Sequence, residues 1–273
     1  MFGCDGCRLE FAAREPDSGE LPRLYGERYF TSAGSGYRSY LGEEASHRFQ
    51  ARRYLRRLES LVRPGALLDI GCAAGFFLDE ARRSGWSVRG LDVSPWASVH
   101  ARQALGMDVA TGSFLESDWG AERFDAVTMF NVLEHMASPR AVETRLAGLI
   151  RPGGIVAVET WDSTSLVARV FGHRWQQYDP RLVPYYYSPT ALERLFPAPR
   201  WIPRIMARAA KWISVRRGLE IVADRSGFAR GLFDRLATSA IGRPRIPYLT
   251  GELLFAVFER AATPATTDRK AGS

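Results

Sequence analysis

The stretch LLDIGCAAGFF, residues 67–77, places an acid and two glycines at the end of an apolar run. Asp69 can accept a hydrogen bond from a ligand ammonium group, and Gly71 and Gly75 let the backbone approach a ligand where a Cβ atom would clash. The apolar residues that follow predict a helix, and the first N–H groups of a helix can bind a carboxylate. These residues indicate a site for a ligand that carries an ammonium and a carboxylate group.

A second acid indicates that the same ligand contains a ribose. Asp92, in GLDVS, lies 23 residues beyond Asp69, and an acid about 20 residues beyond such a turn commonly binds the ribose hydroxyl pair. The competing interpretation is the dinucleotide fingerprint, G-x-G-x-x-G. This turn is G-x-x-x-G, with Ala73 at the place of the middle glycine, so it suits a pyrophosphate less well.

Two histidines are candidate general bases for a reaction at this site. His135 follows Glu134 just after the apolar stretch FDAVTMF, and an imidazole there can take a proton from a ligand hydroxyl. The alternative for His135 is a structural role in the wall of the ligand site. His173, in FGHRW, is the second candidate, with a loop or stacking role as its alternative.

Strands and helices alternate in the part of the chain that must position these residues. Strands are predicted at ALLDI, SVRGLDV, MDVA, FDAVTMF and GGIVAVET, and helices at residues 45–62, 76–84, 95–105 and 139–150. Apolar strands separated by helices indicate a parallel sheet that is covered on both faces. The predicted fold class is therefore α/β, with a Rossmann-like doubly wound sheet.

The pattern becomes irregular beyond residue 162. SPTALERLF predicts a capped helix, residues 200–236 a basic helical insertion, and ELLFAVFER a last strand. The predicted organisation is an arm at 1–44, a core at 45–162, a substrate or lid region with basic helices at 163–250, a final core strand at 251–260, and a disordered tail at 261–273.

Composition limits the class of protein and its partners. The chain has 273 residues, of which 46% are hydrophobic and 25% charged, as in a soluble globular protein. No membrane-spanning segment, signal peptide or disulfide framework is expected, so a cytoplasmic location is predicted. The net charge of +7 belongs to the C-terminal quarter. There, residues 200–217 are a candidate contact for anionic lipid, whereas no motif for nucleic acid is recognised.

Five segments in a fixed order resemble the class I S-adenosylmethionine-dependent methyltransferases. LLDIGCAAG resembles their first motif, GLDVS their second-strand acid, GSFLES their adenine-flanking segment, FDAVTMFNVLEHMASP their fourth-strand motif and LIRPGGIVAVET their strand-five motif. The resemblance covers residues 45–162. It implies the class I fold, with an antiparallel last strand, and S-adenosylmethionine as the cofactor, without a metal ion.

The resemblance also implies roles for individual residues. The implied cofactor-binding residues are Asp69, Gly71, Ala73, Gly75, Phe76, Asp92, Val93, Trp96, Ser113, Phe114, Asn131 and Val132. Within this set, Ser113 and Phe114 are expected beside adenine and Asn131 near the methionine moiety. Trp96 is a candidate to stack on adenine. Tyr29, Tyr37 and Tyr40 are expected to close over the cofactor from the arm.

A narrower resemblance extends to both flanks of the core. CDGCRLEF, LYGERYF, GYRSY and GHRWQQYDPRLVPYYYSPTAL look like a bacterial methyltransferase subgroup associated with sugars, surface polysaccharides and small metabolites. Two departures lie where substrate is expected: Leu182 and Val183 replace a usual histidine, and TWD replaces a TPN-like turn. The expected substrate contacts are Trp161, Asp162, Tyr185 and Tyr187.

The cysteine pair Cys4 and Cys7 resembles half of a zinc ribbon. A structural zinc site needs four ligands. The pair is interpreted either as a remnant of that ribbon or, if the start codon is placed too late, as half of a site whose other pair lies upstream.

Taken together, these patterns predict O-methylation of a small molecule, such as a sugar, glycolipid or secondary metabolite. The alternatives are a nucleotide-dependent oxidoreductase on a similar sheet, and a non-catalytic binding module at a membrane surface that keeps the cofactor fold.

Overall fold

Helices and strands follow one another along the computed structural model, which describes residues 1–13, 20–31, 40–215 and 245–262. The N-terminal elements are β1 (Phe2–Gly3), β2 (Glu10–Phe11), α1 (Glu20–Leu24), α2 (Glu27–Thr31) and α3 (Glu44–Glu59). The central elements are β3 (Ala66–Ile70), α4 (Phe76–Arg83), β4 (Ser87–Asp92), α5 (Pro95–Leu105), β5 (Val109–Thr111), β6 (Phe124–Phe130), α6 (Pro139–Leu149) and β7 (Ile150–Trp161). The C-terminal elements are α7 (Leu166–Phe171), β8 (Tyr185–Tyr186), α8 (Pro189–Leu195), β9 (Trp201–Ser214) and β10 (Arg245–Arg260).

Within the described residues, seven strands form one sheet in the order β5-β4-β3-β6-β7-β10-β9. The neighbouring pairs from β5 to β7 are parallel. Strand β10 is antiparallel both to β7 and to β9. The prediction of a doubly wound α/β fold with an antiparallel last strand is confirmed. Its parallel strands direct their carboxyl ends to one edge, where ligands bind in open α/β sheets.

Local sequence signals explain where the helices around this edge begin and end. The Ser94 hydroxyl accepts a hydrogen bond from the Ala97 N–H at 3.2 Å, and Pro95 occupies the first helical position of α5. Gly106, with φ of 61°, ends that helix in the left-handed conformation. Ser188 caps α8 in the same way through the Ala191 N–H, at 2.9 Å. Capping of this kind fixes the helix starts that the sequence predicted.

The segment 201–214, predicted as part of a basic helix, is a strand. It pairs with β10 from Trp201 opposite Arg260 to Ser214 opposite Arg245. Pro203 is tolerated because β9 is the outermost described strand of the sheet and the pairing register shifts beside Pro203. The helical prediction was wrong because alanine and arginine favour helix locally, whereas strand pairing is decided by a distant partner. The rest of the predicted helical insertion, from 216 to 244, lies outside the described residues.

The last strand is also longer than predicted. It begins at Arg245 rather than at residue 251, and its central residues from Leu253 to Phe258 are buried against β7 and β9. Of the basic side chains on β9, Arg204 Nε lies 2.7 Å from Glu259 Oε2 and Arg208 Nε lies 2.9 Å from Asp162 Oδ2. The predicted lipid contact through 200–217 therefore loses its helical basis and stays a prediction.

The N-terminal arm is tied to the segment before α8. Among the described residues, β1, β2 and β8 form a small antiparallel sheet in which Glu10 pairs with Tyr186. Cys4 and Cys7 lie in the turn between β1 and β2, where the Cys7 N–H donates to the Cys4 carbonyl at 3.3 Å. The described residues contain no cluster of three or more potential metal ligands, and the zinc-ribbon interpretation stays a prediction.

No helix among the described residues has the length and apolar character that crossing a bilayer requires. The predicted domain limits are likewise untested, and the predicted tail lies outside the described residues from residue 263 onward.

Candidate active site

The turn after β3 is shaped by backbone conformations that favour glycine. Gly71, Ala73 and Gly75 have φ values of 73°, 49° and 84°. A Cβ atom on Gly71 would lie 2.2 Å from Val132 Cγ2. The turn therefore packs directly on the segment that follows β6, and this contact brings the carboxyl ends of β3 and β6 together at the sheet edge.

Asp92, at the end of β4, is held by the backbone of two neighbouring segments. Its Oδ2 accepts from the Ala73 N–H at 2.7 Å and its Oδ1 from the Ser94 N–H at 2.8 Å. Burial raises the pKa of Asp92, and the two amide hydrogen bonds oppose that rise. Because a carboxylate has about four lone-pair sites, each oxygen keeps capacity for a ribose hydroxyl. The geometry fits the role that the sequence predicted for Asp92.

Asp69 is a buried carboxyl group, 3% exposed, at the end of β3. Burial raises its pKa to about 7, a hydrogen bond from Thr128 lowers it, and the nearby charge of Asp92 raises it further. The Thr128 hydroxyl donates to Asp69 Oδ1 at 2.6 Å. A cationic ligand group beside Asp69 would favour the ionised form, so this site can couple ligand binding to proton release.

Aromatic residues of the arm cover this edge of the sheet. Phe30 stacks on Trp96, with ring centroids 5.1 Å apart and planes 17° apart. Tyr40 stacks on Phe76 at 5.9 Å. The pKa of Tyr40 lies well above its usual value because the phenol is buried and because Tyr29, Asp69 and Asp92 add negative charge nearby. Tyr29 and Tyr40 thus lie near each other and near Asp69 and Asp92. Their predicted closure over the cofactor stays a prediction, and Tyr37 lies outside the described residues.

The same stacking gives Trp96 ring partners within the protein. Besides Phe30, it stacks on His100 with centroids 5.2 Å apart. Its predicted contact with adenine stays a prediction.

Some of the remaining predicted cofactor residues lie near the carboxyl ends of the parallel strands, and Phe114 lies in the core. Asn131, with φ of 55°, donates from its backbone N–H to the Glu159 carbonyl at 2.8 Å and from Nδ2 to Glu159 Oε1 at 3.0 Å. Val132 and Val93 are half-buried beside the turn and Asp92. Phe114 is 1% exposed, and the Ser113 carbonyl accepts from the Ser117 N–H at 3.0 Å. Asn131 is therefore fixed by β7, and Phe114 belongs to the core.

His135 is oriented by partners on both ring nitrogens. Nδ1 lies 2.6 Å from the Leu182 carbonyl oxygen, and Nε2 lies 3.2 Å from the Tyr25 hydroxyl. Because a carbonyl only accepts, Nδ1 carries the proton and Nε2 presents its lone pair. Burial lowers the pKa of His135 to about 4, while the Leu182 hydrogen bond opposes this shift. The imidazole is therefore neutral near pH 7 and able to accept a proton.

Glu134 lies beside His135 but points into a different environment. It is fully buried, as are Thr160 and Tyr187. Within the described residues, the Tyr187 hydroxyl has no hydrogen-bond partner, whereas the Thr160 hydroxyl lies close enough to the Glu134 carboxyl to lower its pKa. Burial raises the pKa of Glu134 to about 8, so this carboxyl is protonated near pH 7 and is not a second base at rest.

Two of the predicted substrate residues, Trp161 and Asp162, contact other side chains of the protein. Trp161 packs edge-on against Trp175, with centroids 6.1 Å apart. Asp162 Oδ1 accepts from the Thr164 hydroxyl at 2.6 Å, and its Oδ2 accepts from Arg208. Asp162 thus joins the end of β7 to β9, and its role toward substrate stays a prediction.

The predicted substrate residues Tyr185 and Tyr187 and the candidate base His173 differ in exposure. The Tyr185 hydroxyl donates to the Ala137 carbonyl at 3.1 Å, and Tyr187 is buried. His173 is exposed on the 3-10 turn Gly172–Arg174 and makes no hydrogen bond or ion pair within the described residues. His135 is therefore the better-placed of the two candidate bases.

Three residues at the site escaped the sequence analysis: Tyr25, Ser94 and Thr128. Thr128 interrupts an apolar strand, which is a signal for a buried polar partner. Ser94 stands before Pro95 as a typical helix cap. Tyr25, in LYGERYF, is one aromatic residue among several in the arm, and nothing in its local sequence distinguishes it from Tyr29.

Comparison with known families gives a match over most of this region. Residues 39–198 match the family model described as a methyltransferase domain. The chain is 34% identical over 116 residues to the ubiquinone biosynthesis O-methyltransferase of Cereibacter sphaeroides, covering 40% of this chain and 47% of that protein. It is 36% identical over 126 residues to the protein of the same name from Caulobacter vibrioides, covering 43% and 49%. The chain thus matches about half the length of these relatives.

Solved structures show the same fold at low sequence identity. The N-methyltransferase NodS from Bradyrhizobium japonicum, in complex with S-adenosyl-L-homocysteine, has a TM-score of 0.56 at 17% identity, covering 90% of this chain and 100% of that one. A putative methyltransferase in complex with the Haloferax volcanii Trm112 activator has a TM-score of 0.60 at 19% identity, covering 81% and 92%.

Proposed function

The chain belongs to the methyltransferase domain family, and on that premise we propose that it transfers a methyl group from S-adenosylmethionine to a hydroxyl oxygen of a small molecule. The family favours this interpretation over the oxidoreductase alternative. The curated relatives named above are O-methyltransferases, which supports oxygen as the acceptor atom. The observation that carries the proposal is the orientation of His135, whose Nε2 presents a lone pair at the covered edge of the sheet.

The residues at the sheet edge fit the cofactor. Bound S-adenosylmethionine supplies an activated sulfonium methyl group. Asp92 would hold the ribose hydroxyls, Asp69 the ammonium group, and the first N–H groups of α4 the carboxylate. The fit rests on the buried Asp69 carboxyl, whose pKa of about 7 leaves it ready to ionise beside a cation, and on the Asp92 oxygens with spare acceptor capacity.

The protein's own contribution is alignment, exclusion of water and removal of a proton. Aligned reactants can lower a barrier by roughly 7–11 kcal/mol at best, and the arm residues Phe30 and Tyr40 cover the site where this alignment would occur. A positioned general base contributes about 10²–10⁴-fold. His135 is neutral near pH 7, since burial lowers its pKa to about 4.

The tautomer of His135, whose Nδ1–H donates to the Leu182 carbonyl, bears on the choice of acceptor. A neutral imidazole removes the proton of an acidic hydroxyl more easily than that of an ordinary alcohol. Among sugars, glycolipids and secondary metabolites, we therefore favour a secondary metabolite with a phenolic hydroxyl. The names of the relatives from Cereibacter sphaeroides and Caulobacter vibrioides refer to ubiquinone biosynthesis and are compatible with such an acceptor.

Calorimetric titration with S-adenosylhomocysteine tests the cofactor assignment. We expect binding by the unaltered protein and no binding of reduced nicotinamide dinucleotide. Asp92→Ala should weaken S-adenosylhomocysteine binding by about 1–3 kcal/mol, the cost of losing a charged hydrogen-bond partner. The matched control is Asp108→Ala, because the Asp108 side chain is 72% exposed beyond the opposite end of the sheet, before β5. Binding of the nicotinamide alone, or equal affinity in the two variants, would contradict the proposal.

A further inference from the structure

The hydroxyl of Tyr25, between α1 and α2 of the arm, reaches the candidate base. Its oxygen lies 3.2 Å from His135 Nε2, across 110 positions of sequence. The two rings meet edge to face, with centroids 5.9 Å apart and planes 81° apart. Because Nδ1 of His135 donates to the Leu182 carbonyl, Nε2 is the acceptor in this pair and the Tyr25 hydroxyl is the donor.

The backbone of Tyr25 is anchored on the cofactor side of the site. Its carbonyl accepts a hydrogen bond from the Ser94 hydroxyl, and its N–H donates to the Leu21 carbonyl at 2.9 Å. Ser94 in turn donates its own N–H to Asp92 Oδ1. The arm conformation that places the Tyr25 hydroxyl on His135 is therefore the one that rests on the ribose-binding segment.

Neighbouring aromatic rings restrict the Tyr25 side chain further. The Tyr29 ring meets it edge-on, with centroids 4.9 Å apart. A phenol held in this way can donate to Nε2 while its oxygen lone pairs accept from another hydroxyl. Because the Tyr25 hydroxyl is the hydrogen-bond partner of Nε2, a proton from another hydroxyl can reach Nε2 through the Tyr25 oxygen.

We propose that Tyr25 is a second proton-handling residue of the methyl transfer, and that its hydroxyl passes the acceptor proton to Nε2 of His135. This inference rests on the proposed function. The acceptor oxygen forms its bond to the methyl carbon as the bond between that carbon and sulfur breaks. The acceptor proton moves to the Tyr25 oxygen, and the Tyr25 proton moves to Nε2. Tyr25 is regenerated, the thioether product leaves, and the Leu182 carbonyl accepts from Nδ1–H of the imidazolium.

The competing explanation is that Tyr25 only fastens the arm. The two roles separate in Tyr25→Phe, which removes the hydroxyl but keeps the ring that packs on Tyr29 and the backbone hydrogen bond to Ser94. If Tyr25 only fastens the arm, Tyr25→Phe should lower the affinity for the cofactor. If Tyr25 relays the proton, Tyr25→Phe should lower kcat. Tyr178→Phe is the matched control, because Tyr178 is a half-buried phenol that stacks on Tyr186, whereas the hydrogen bonds of His135 go to Tyr25 and Leu182.

The experiment is a double-mutant cycle with Tyr25→Phe, His135→Gln and the double variant. Turnover is measured with methyl-labelled S-adenosylmethionine and a panel of phenolic acceptors that includes 3,4-dihydroxybenzoate. Affinity for S-adenosylhomocysteine is measured by calorimetry on the same preparations. The nitrogen-15 shifts of the His135 ring, recorded without cofactor, report the Tyr25–His135 hydrogen bond independently of turnover.

We expect Tyr25→Phe to lower kcat by about 10–100-fold, at or below the lower limit of about 10² for a positioned acid–base group, because His135 is still present to take the proton. The S-adenosylhomocysteine affinity and the turnover of Tyr178→Phe should be essentially unchanged. The double variant should be no slower than His135→Gln, since residues that act as a unit are non-additive. In Tyr25→Phe, the nitrogen-15 shift of His135 Nε2 should move toward the value of an imidazole nitrogen that accepts no hydrogen bond.

Unchanged kcat in Tyr25→Phe, additive losses in the double variant, or an unmoved Nε2 shift would each overturn the relay while leaving the proposed function in place. An unaltered protein that neither binds S-adenosylhomocysteine nor methylates any member of the panel would overturn both.

Discussion

Burial moves the ionisable groups near the candidate site toward their neutral forms. The pKa is raised to about 7 in Asp69 and to about 8 in Glu134, and lowered to about 4 in His135. The common cause is the cost of holding a charge away from water. Each group is therefore poised to change charge only when a ligand or a proton donor meets it. A covered site of this kind suits a reaction in which a cationic cofactor and a developing anion come together.

Asp69 provides a prediction about the pH dependence of binding. A ligand ammonium group requires the ionised carboxyl, and the pKa of that carboxyl in the free protein is about 7. Below pH 7 a proton must be released first, so affinity for S-adenosylhomocysteine should fall as pH falls, approaching about tenfold per pH unit. Asp69→Asn should bind more weakly and lose this dependence between pH 5.5 and 7.

Calorimetry across this pH range measures the effect. Asp108→Asn, which alters an exposed carboxylate, should keep the pH dependence of the unaltered protein. An affinity that stays constant from pH 5.5 to 7 in the unaltered protein would exclude Asp69 as the ammonium partner.

At the scale of elements, strand β9 completes the sheet and also secures the site. Trp201, at its start, is fully buried, and its Nε1–H donates to Glu143 Oε1 at 2.6 Å. Arg208, further along the strand, donates to Asp162 at the end of β7. The antiparallel pair of β9 and β10 thus fixes the end of β7 at Trp161 and the Asp162 that follows it. The predicted lid region contributes at least this strand to the core.

Two neighbouring substitutions test the strand assignment of 201–214. Successive side chains of a strand point to opposite faces: Trp201 is buried, and Ile202 is 37% exposed. Trp201→Ala should therefore cost about 3–5 kcal/mol in the free energy of unfolding, and Ile202→Ala about 1 kcal/mol or less. Urea denaturation of the two variants measures both values. Losses of equal size would contradict the alternation.

At the scale of the whole molecule, the arm that covers the site is expected to be less stable than the sheet beneath it. Helices α1 and α2 are five residues each, and Phe30 is their one buried residue. Short elements with few buried contacts open at low free energy. The arm nevertheless contributes Tyr25, Phe30 and Tyr40 to the site. Ligand entry can therefore proceed by opening of the arm while the sheet stays intact.

Hydrogen exchange of the full chain tests this division. Bound S-adenosylhomocysteine should slow amide exchange in Glu20–Leu24 and Glu27–Thr31, because a ligand that favours the closed arm lowers the population of the open one. Exchange in β6 and β7 should change little, since these central strands are already protected. Slower exchange confined to the sheet, with none in the arm, would contradict a covering role.

The sequence by itself determined the α/β class, the turn after β3 and the acid at the end of β4. These features depend on periodicity and spacing over a few tens of residues, and such local patterns survive without knowledge of the fold. The choice of His135 as a candidate base is of the same kind. It follows from a residue type placed next to a predicted strand end.

Tertiary structure alone decided the features that depend on distant partners. Residues 201–214 have local propensities compatible with a helix, and pairing with β10 makes them a strand. The tautomer of His135 depends on the Leu182 carbonyl, and its contact with Tyr25 joins residues 110 positions apart. Pairing, burial and hydrogen bonds between distant segments arise only when the chain is folded, because their free energy belongs to contacts that no local window of sequence contains.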